Sequence, residues 1–275
     1  MKLSVIINHY RTPEILEVCL KSVKKSLSEV GFDWEIIVTD GAVTRITEEM
    51  MREQFSEVVF IPFKKNVGFG KLVNAGIKKA CGEFLFIINA DIIIEDKNAI
   101  PMMLEYLKEN KDIGLLGPRL LNINETVQQS CFRFYTPWVV LCRRTFLGGI
   151  SWGKKILDNF LMKDIFTKEV SSPIPVDWLM GSAFMMRKSS VEKVGCLDEN
   201  FFMYFEDVDW ARRFWENGYK VVYFPAAKMY HYHFQSSKKR GGLIDLLFNK
   251  YTRIHLTSAW KYFKKYRFKN ARYGK

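Results

Sequence analysis

The chain has 275 residues, 48% hydrophobic and 26% charged, which excludes an intrinsically disordered protein and allows one large α/β domain or one domain with an appendage. A formal net charge of +12 favours polyanionic partners: nucleic acid, an acidic membrane surface or phosphate-bearing substrates. Five scattered cysteines without CxxC spacing argue against a disulfide framework and read as reduced thiols. No apolar run is long enough to span a bilayer, and no signal peptide is visible before the first strand pattern. The expectation is therefore a cytoplasmic protein, soluble or peripherally bound to the inner face of the cell membrane.

Leu3–Asn8 is a short β-rich apolar run and predicts a buried strand. Pro13 suits the first turn of a helix carrying Leu16, Cys19, Leu20 and Val23 at helical spacing. Trp34–Asp40 predicts a second strand ending in a carboxylate, Ile46–Phe55 a helix, and Glu57–Pro62 a third strand. The glycine-bearing loop Asn66–Lys71 opens a helix running to about Ala80, and Phe84–Ile88 predicts the fourth strand. Ala99–Glu109 reads as a helix and Ile113–Gly117 as a strand. Leu121–Pro175 is less regular. Val176–Arg187 is strand-like but broken at Gly181-Ser182, a helix starts near Glu206 and ends at Gly218, and Lys220–Phe224 predicts a final strand. From Leu243 onward apolar and basic residues recur at helical spacing. This alternation predicts a largely parallel sheet with helices on both faces, whose ligands bind at the carboxyl ends of the strands. Asn8, Asp40 and Asp91 all fall at such ends, so they can converge.

Two acidic clusters carry the chemical argument. Asn89-Ala90-Asp91 follows an apolar strand, where Asp91 suits Mg²⁺ or Mn²⁺ shared with a substrate phosphate and Asn89 supplies a weaker, neutral contact. The same residues also fit an Asx turn. Glu206-Asp207-Val208-Asp209 opens a helix. Acidic residues there complement the helix dipole, and Asp209 can pair with Arg212 or Arg213. Asp207 is the candidate general base, with Glu206 in reserve. His231, after the last strand, suits a borderline metal, as does His233; both also fit structural roles. Asn66, Gly68, Gly70 and Lys71 form a loop that can present backbone N–H groups to a phosphate, or simply a turn.

In order, Ser4–Arg11, Asp40, Asn66–Gly70, Asn74-Ala75-Gly76, Asn89–Asp91, Asp177–Gly181 and Phe202–Asp209 resemble glycosyltransferase family 2, in particular its bacterial rhamnosyltransferase-like members, over residues 3 to 237. The resemblance implies an α/β GT-A fold, a Rossmann-like and mostly parallel central sheet with helices on both faces. It also implies inversion at the anomeric carbon and a divalent metal, Mg²⁺ or Mn²⁺, holding the donor diphosphate. By position, Asp91 and His231 match metal ligands, Asp207 the catalytic base, and Asp40 the aspartate that contacts the nucleotide base. Asp177, Trp178 and Gly181 match a segment near acceptor and sugar.

The chain departs from the family at Asn8-His9-Tyr10-Arg11 and at Gly41–Arg45, both in the expected nucleotide pocket. Asn8, Tyr10 and Arg11 remain candidate donor contacts, and Arg11 or Arg45 can meet a phosphate. The implied donor is a dTDP-, UDP- or GDP-linked sugar, and the implied acceptor a glycan or polyprenyl-linked precursor. The expected division is a transferase domain over 1–237 and a basic, amphipathic helical extension over 238–275; this tail reads most simply as a solvated surface helix, and its residues from about 238 to 270 are expected to lie against anionic lipid. A nucleic-acid-binding protein and an inactive scaffold are the competing readings. The first has only the net charge behind it, with no zinc-finger, helix-turn-helix or RNP pattern.

Overall fold

The computed structural model of the protein describes residues 2–163, 170–232, 249–269 and 271. The first half of the chain runs β1 (Lys2–His9), α1 (Pro13–Leu27), β2 (Asp33–Asp40), α2 (Arg45–Gln54), β3 (Val59–Pro62), α3 (Phe69–Lys79), β4 (Phe84–Asn89), β5 (Ile92–Ile93), α4 (Ala99–Glu109) and β6 (Ile113–Leu121). Then come β7 (Cys131–Phe132), α5 (Pro137–Arg144), a 3-10 turn (Phe146–Gly149), α6 (Ser151–Phe160), β8 (Ile174–Pro175), β9 (Trp178–Leu179) and β10 (Ala183–Arg187). The chain continues through α7 (Lys188–Val194), α8 (Glu206–Glu216), β11 (Lys220–His231) and α9 (Lys250–Lys265).

The main sheet follows the order β3-β2-β1-β4-β10-β6-β11-β5, with β8 pairing β11 at one side. Strands β3, β2, β1 and β4 are mutually parallel, and β11 is parallel to β6. Strand β10 runs antiparallel between β4 and β6. The apolar runs make β1 and β4 buried on both faces, because side chains alternate between two cores. Leu3, Val5, Ile7, Phe84, Phe86 and Ile88 join α1, α2 and α4 on one face. Ile6, Leu85 and Ile87 join α3, α5, α6, α8 and α9 on the other.

Three segments differ from the sequence expectation. The irregular stretch after Leu121 contains α5 and α6, two short helices separated by the glycine-bearing turn Phe146–Gly149. The final strand extends to His231, past a register shift between Phe224 and Lys228. The basic C-terminal helix is not a solvated appendage. Its Ala259, Tyr262 and Phe263 are buried in the second core. Lys265 Nζ lies 2.7 Å from both Asp198 Oδ2 and Asp209 Oδ1, and Tyr266 donates to Asp209 Oδ1 at 2.8 Å. The Arg212 guanidinium stacks over Tyr266 at 3.7 Å. Asp209 is fully buried and also holds Arg213 at 2.9 Å, as its i+4 spacing allows. The expected boundary at 237, together with His233 and Lys238-Lys239-Arg240, falls outside the described residues.

Because Tyr262 is 1% exposed and packs on Phe205 at 5.4 Å, truncating it removes core packing. Tyr262→Ala is expected to lower the stability of the main unfolding transition by about 3–5 kcal/mol. An unchanged urea midpoint would show α9 to be energetically separate.

Candidate active site

The carboxyl edge of the sheet gathers residues remote in sequence. Asn8 sits across from Thr39 and Asn89, and His9 across from Asp40. Ala90 N–H donates to Asn8 O at 2.9 Å, closing the end of β4 over β1. Because β10 is antiparallel, its beginning lies at this same edge, with Ala183 opposite Ile88. Asn89 N–H donates to Ser182 O at 2.9 Å. On the far side, β5 pairs with the end of β11 and sets His231 opposite Ile92, beside Asp91.

Asp91 and His231 form one corner. His231 Nε2 stands 3.3 Å from Asp91 Oδ1, and its Nδ1 is 2.6 Å from Gln128 Oε1. The Gln128 amide is oriented by donating from Nε2 to Asn122 Oδ1 at 3.4 Å. With Nδ1–H donating to Gln128, the neutral tautomer of His231 directs its Nε2 lone pair at a carboxylate oxygen. Asp91 Oδ1 is buried and has no hydrogen-bond partner. Two lone-pair donors facing each other fit a shared cation. Among the described residues no cluster of three or more His, Cys, Asp or Glu side chains could hold a metal. Among the described residues this corner brings together two ligands, a set that suits Mg²⁺ or Mn²⁺ completed by phosphate and water. Nothing in the sequence around Gln128 marked it.

Asp207 forms the other corner. Its Oδ2 accepts from Gly181 N–H at 3.0 Å and its Oδ1 from Val208 N–H at 2.9 Å. Burial pushes its carboxyl up to about 6, against the lowering effect of these two amides. Glu206 is 5% exposed with Oε2 unpartnered. Burial, and then the neighbouring Asp207 charge, raise it well above the ordinary carboxylate range, so it tends to stay neutral. Asp207 is partly exposed and Glu206 buried, which favours Asp207 as the group that meets a substrate. Gly181 thus touches the candidate base, and its successor Ser182 touches Asn89. A Cβ on Gly181 would lie 3.3 Å from the Phe69 ring, a tight contact, and 3.5 Å from Asp207 Oδ2, an ordinary one.

The turn that delivers Glu206-Asp207 is held from three sides. Tyr204 and Phe205 both take left-handed φ values, 68° and 69°. Such values cost on the order of 1–2 kcal/mol each for non-glycine residues and need outside support. Phe205 is clamped by Tyr135 at 4.6 Å and His255 at 5.3 Å. Ser258 Oγ donates to Met203 O at 2.9 Å, and Lys261 Nζ to Asn200 O at 2.7 Å. His255 is kept neutral by burial and by Arg144 and Arg143, which push it down to about 3. From the third side, Phe69 N–H donates to Phe202 O at 3.1 Å. Gly68 makes this approach possible: its φ is +92°, and a Cβ would sit 2.5 Å from Phe202 O. Asn74 pairs reciprocally with the Leu197 backbone at 2.9 and 3.0 Å.

The remaining sequence candidates are distributed as follows. In the Asn66–Lys71 loop, Gly68 N–H is taken by Asn66 Oδ1 at 2.9 Å and Phe69 N–H by Phe202. The Gly68 amide thus closes its own loop, and the Phe69 amide braces the Asp207 turn. Gly70 is buried and Lys71 exposed. Trp178 is 6% exposed, stacks on Phe132 at 4.4 Å and donates its indole N–H to Arg133 O. It anchors the chain leading to Gly181 and offers no open face to a donor. Asp177 accepts from Phe134 N–H at 2.7 Å, and burial raises its carboxyl. Asp40 is fully buried, 3.0 Å from His9 Nδ1, and accepts from Ala42 N–H at 3.0 Å. His9 Nε2 accepts from Thr12 N–H, so the neutral ring carries its proton on Nδ1, toward Asp40. Tyr10 and Arg11 are exposed at the end of β1, with the Arg11 guanidinium 5.3 Å over the Tyr10 ring and its backbone at φ 58°. On the outer side of the Asp207 turn, a groove of about 430 Å³ is lined by Phe202, Lys250, Arg253, Ile254, Thr257, Ser258 and Lys261.

Comparison with known proteins follows this geometry. The family described as Glycosyl transferase family 2 matches residues 4–195. The chain is 26% identical over 208 residues to N-acetylglucosaminyl-diphospho-decaprenol L-rhamnosyltransferase of Mycobacterium tuberculosis, covering 72% of this chain and 66% of that protein. It is 32% identical over 95 residues to rhamnosyltransferase WbbL of Escherichia coli, covering 34% and 33%. Among solved structures, Pyrobaculum calidifontis mannosyltransferase PcManGT, in complex with GDP-Man and Mn²⁺, matches at TM-score 0.56 and 15% identity, over 86% of this chain and 58% of that one. S. aureus TarS 1–349 matches at TM-score 0.55 and 19% identity, over 84% and 60%. These likenesses show the GT-A fold that the order of motifs implied. The chain belongs to glycosyl transferase family 2.

Proposed function

We propose that the protein transfers a sugar, of the rhamnose type, from a nucleoside-diphosphate sugar to a hydroxyl of a polysaccharide or lipid-linked glycan, with inversion. The observation that carries this reading is the Gly181-Ser182 segment. One of its residues hydrogen-bonds the Asp207 carboxylate and the next the Asn89 backbone, so a base and a metal corner share one edge of the sheet. The M. tuberculosis relative is named for a decaprenol-linked acceptor and L-rhamnose, which supports this acceptor and sugar class. The nucleotide is of the dTDP, UDP or GDP type.

In this mechanism Asp207 accepts the acceptor's hydroxyl proton as that oxygen attacks the anomeric carbon from the face opposite the departing diphosphate. A carboxylate raised to about 6 is a better proton acceptor than an ordinary one and is still ionised near neutrality. Gly181 N–H holds Oδ2, which fixes the carboxylate's orientation. Asp91 and His231 would hold a divalent cation, with Gln128 orienting the imidazole; when bound, the cation offsets charge on the leaving diphosphate. Asn8, Asn89, Tyr10 and Arg11, at the ends of β1 and β4, line the donor side. The protein works at the inner face of the cell membrane, where lipid-linked acceptors lie.

Asp207→Asn is expected to lower kcat about 10²–10⁴-fold in nucleoside-diphosphate release assays, while Glu206→Gln, replacing a group already neutral, stays within a few-fold of wild type. The reverse ranking would move the base to Glu206. Since Asp207 must be deprotonated to act, kcat/KM should rise with pH through about 6 and then level, a one-proton limb. A flat profile from pH 5 to 8 would exclude the assignment. Gln128→Leu should weaken Mn²⁺ affinity about 10–100-fold, read as loss of the Mn²⁺-dependent rise in melting temperature with nucleoside diphosphate present.

A further inference from the structure

Five large apolar side chains crowd the α5–α6 hairpin and face outward. Phe146 is 83% exposed at its apex, Trp138 56%, Trp152 49%, Ile150 46% and Leu141 38%. Trp138 and Trp152 meet edge-to-face at 5.5 Å, which joins the two helices into one surface. Contiguous exposed apolar area of this kind marks a contact site. The charge around it has one sign. Arg143, Arg144, Lys154 and Lys155 lie within residues 137–160, where the single acid, Asp158, pairs with Lys163 at 2.6 Å. Arg144 reaches Thr252 at 3.4 Å on the first turns of α9, where Lys250 and Arg253 add further positive charge.

We propose that the α5–α6 hairpin is the surface by which this protein docks on an anionic lipid bilayer. Tryptophan and phenylalanine beside lysine and arginine match the chemistry of the bilayer interface: rings enter the headgroup region while cations meet lipid phosphates. A second copy of the chain fits less well, because self-pairing would oppose like charges. The helices have 8 and 10 residues, too short to span, so the hairpin lies on the membrane. Tyr135, immediately before α5, packs against Phe205 beside Glu206-Asp207. Docking by the hairpin therefore holds the proposed base close to the lipid surface. That consequence rests on the proposed function; the binding itself does not.

The test is flotation of the full chain with vesicles of phosphatidylcholine plus phosphatidylglycerol, and of phosphatidylcholine alone. Wild type is expected to float with the anionic vesicles, and Phe146→Ser with Trp152→Ser to lower partitioning roughly tenfold or more at unchanged melting temperature. Lys154→Glu with Lys155→Glu should lower it too, and added salt should lower it for wild type. Failure of wild type to float, equal flotation of the Phe146/Trp152 variant, or a dimer that this variant dissociates in gel filtration would each overturn the proposal. Transfer to a water-soluble acceptor analogue, measured in parallel, should be unchanged in the variant. Absence of transfer by wild type with every donor, alongside variant-sensitive flotation, would count against the proposed function and leave the docking surface standing.

Discussion

The site depends on the antiparallel placement of β10 between β4 and β6. A parallel strand there would deliver its carboxyl end to the edge; β10 delivers its beginning, Gly181-Ser182. That segment is itself buried at the end of a buried strand, so its backbone polar groups need partners. Ser182 O takes the Asn89 amide, and the Gly181 amide finds the Asp207 carboxylate. Two hydrogen bonds of ordinary length thus tie the Asn89 end of β4, the middle of the sheet and the proposed base, Asp207, together. The lack of a Cβ at Gly181 lets the Phe69 ring pack closely beside the same point.

Holding Asp207 there has an energetic cost that the surroundings offset. Two consecutive left-handed residues and two adjacent carboxyls in a poorly solvated turn are each unfavourable. The aromatic clamp around Phe205, the Gly68–Phe202 approach and the polar bonds from α9 over-determine the turn. Desolvation also raises the Asp207 carboxyl, so the packing that fixes the proposed base also tunes it. Helix α9 is part of this arrangement: it places Ser258, Lys261 and Lys265 on the segment from Asp198 to Met203.

The sheet was legible because buried strands must be apolar and their ends punctuated. Leu3–Asn8, Trp34–Asp40 and Phe84–Ile88 read correctly to within a residue or two. The pairing of Asp209 with Arg213 was also legible, since i,i+4 geometry is local. Other features were not. The loop Asn66–Lys71 has the composition of a phosphate cradle, but its Gly68 and Phe69 amides are spent on Asn66 and on Phe202, a partner far along the chain. Trp178 stands in a site motif yet turns into an aromatic stack. The periodic, basic pattern of α9 is the same for a helix on a membrane and for one docked on a core, and only the partners Phe205 and Asp209 distinguish them.

The sequence by itself determined the alternation of elements, the family, and the candidates proposed to bind a cation or accept a proton, because composition, periodicity and motif order are properties of the chain. The tertiary structure alone decided which of these residues meet. It set His231 against Asp91 through the β5–β11 pairing, recruited Gln128 to orient the imidazole, and brought Gly181 to Asp207. It also separated Asp207 from Glu206, adjacent in sequence, into a partly exposed acceptor and a buried neutral neighbour. Burial, orientation and hydrogen-bond partnership arise between segments far apart in the chain, and local sequence does not encode them.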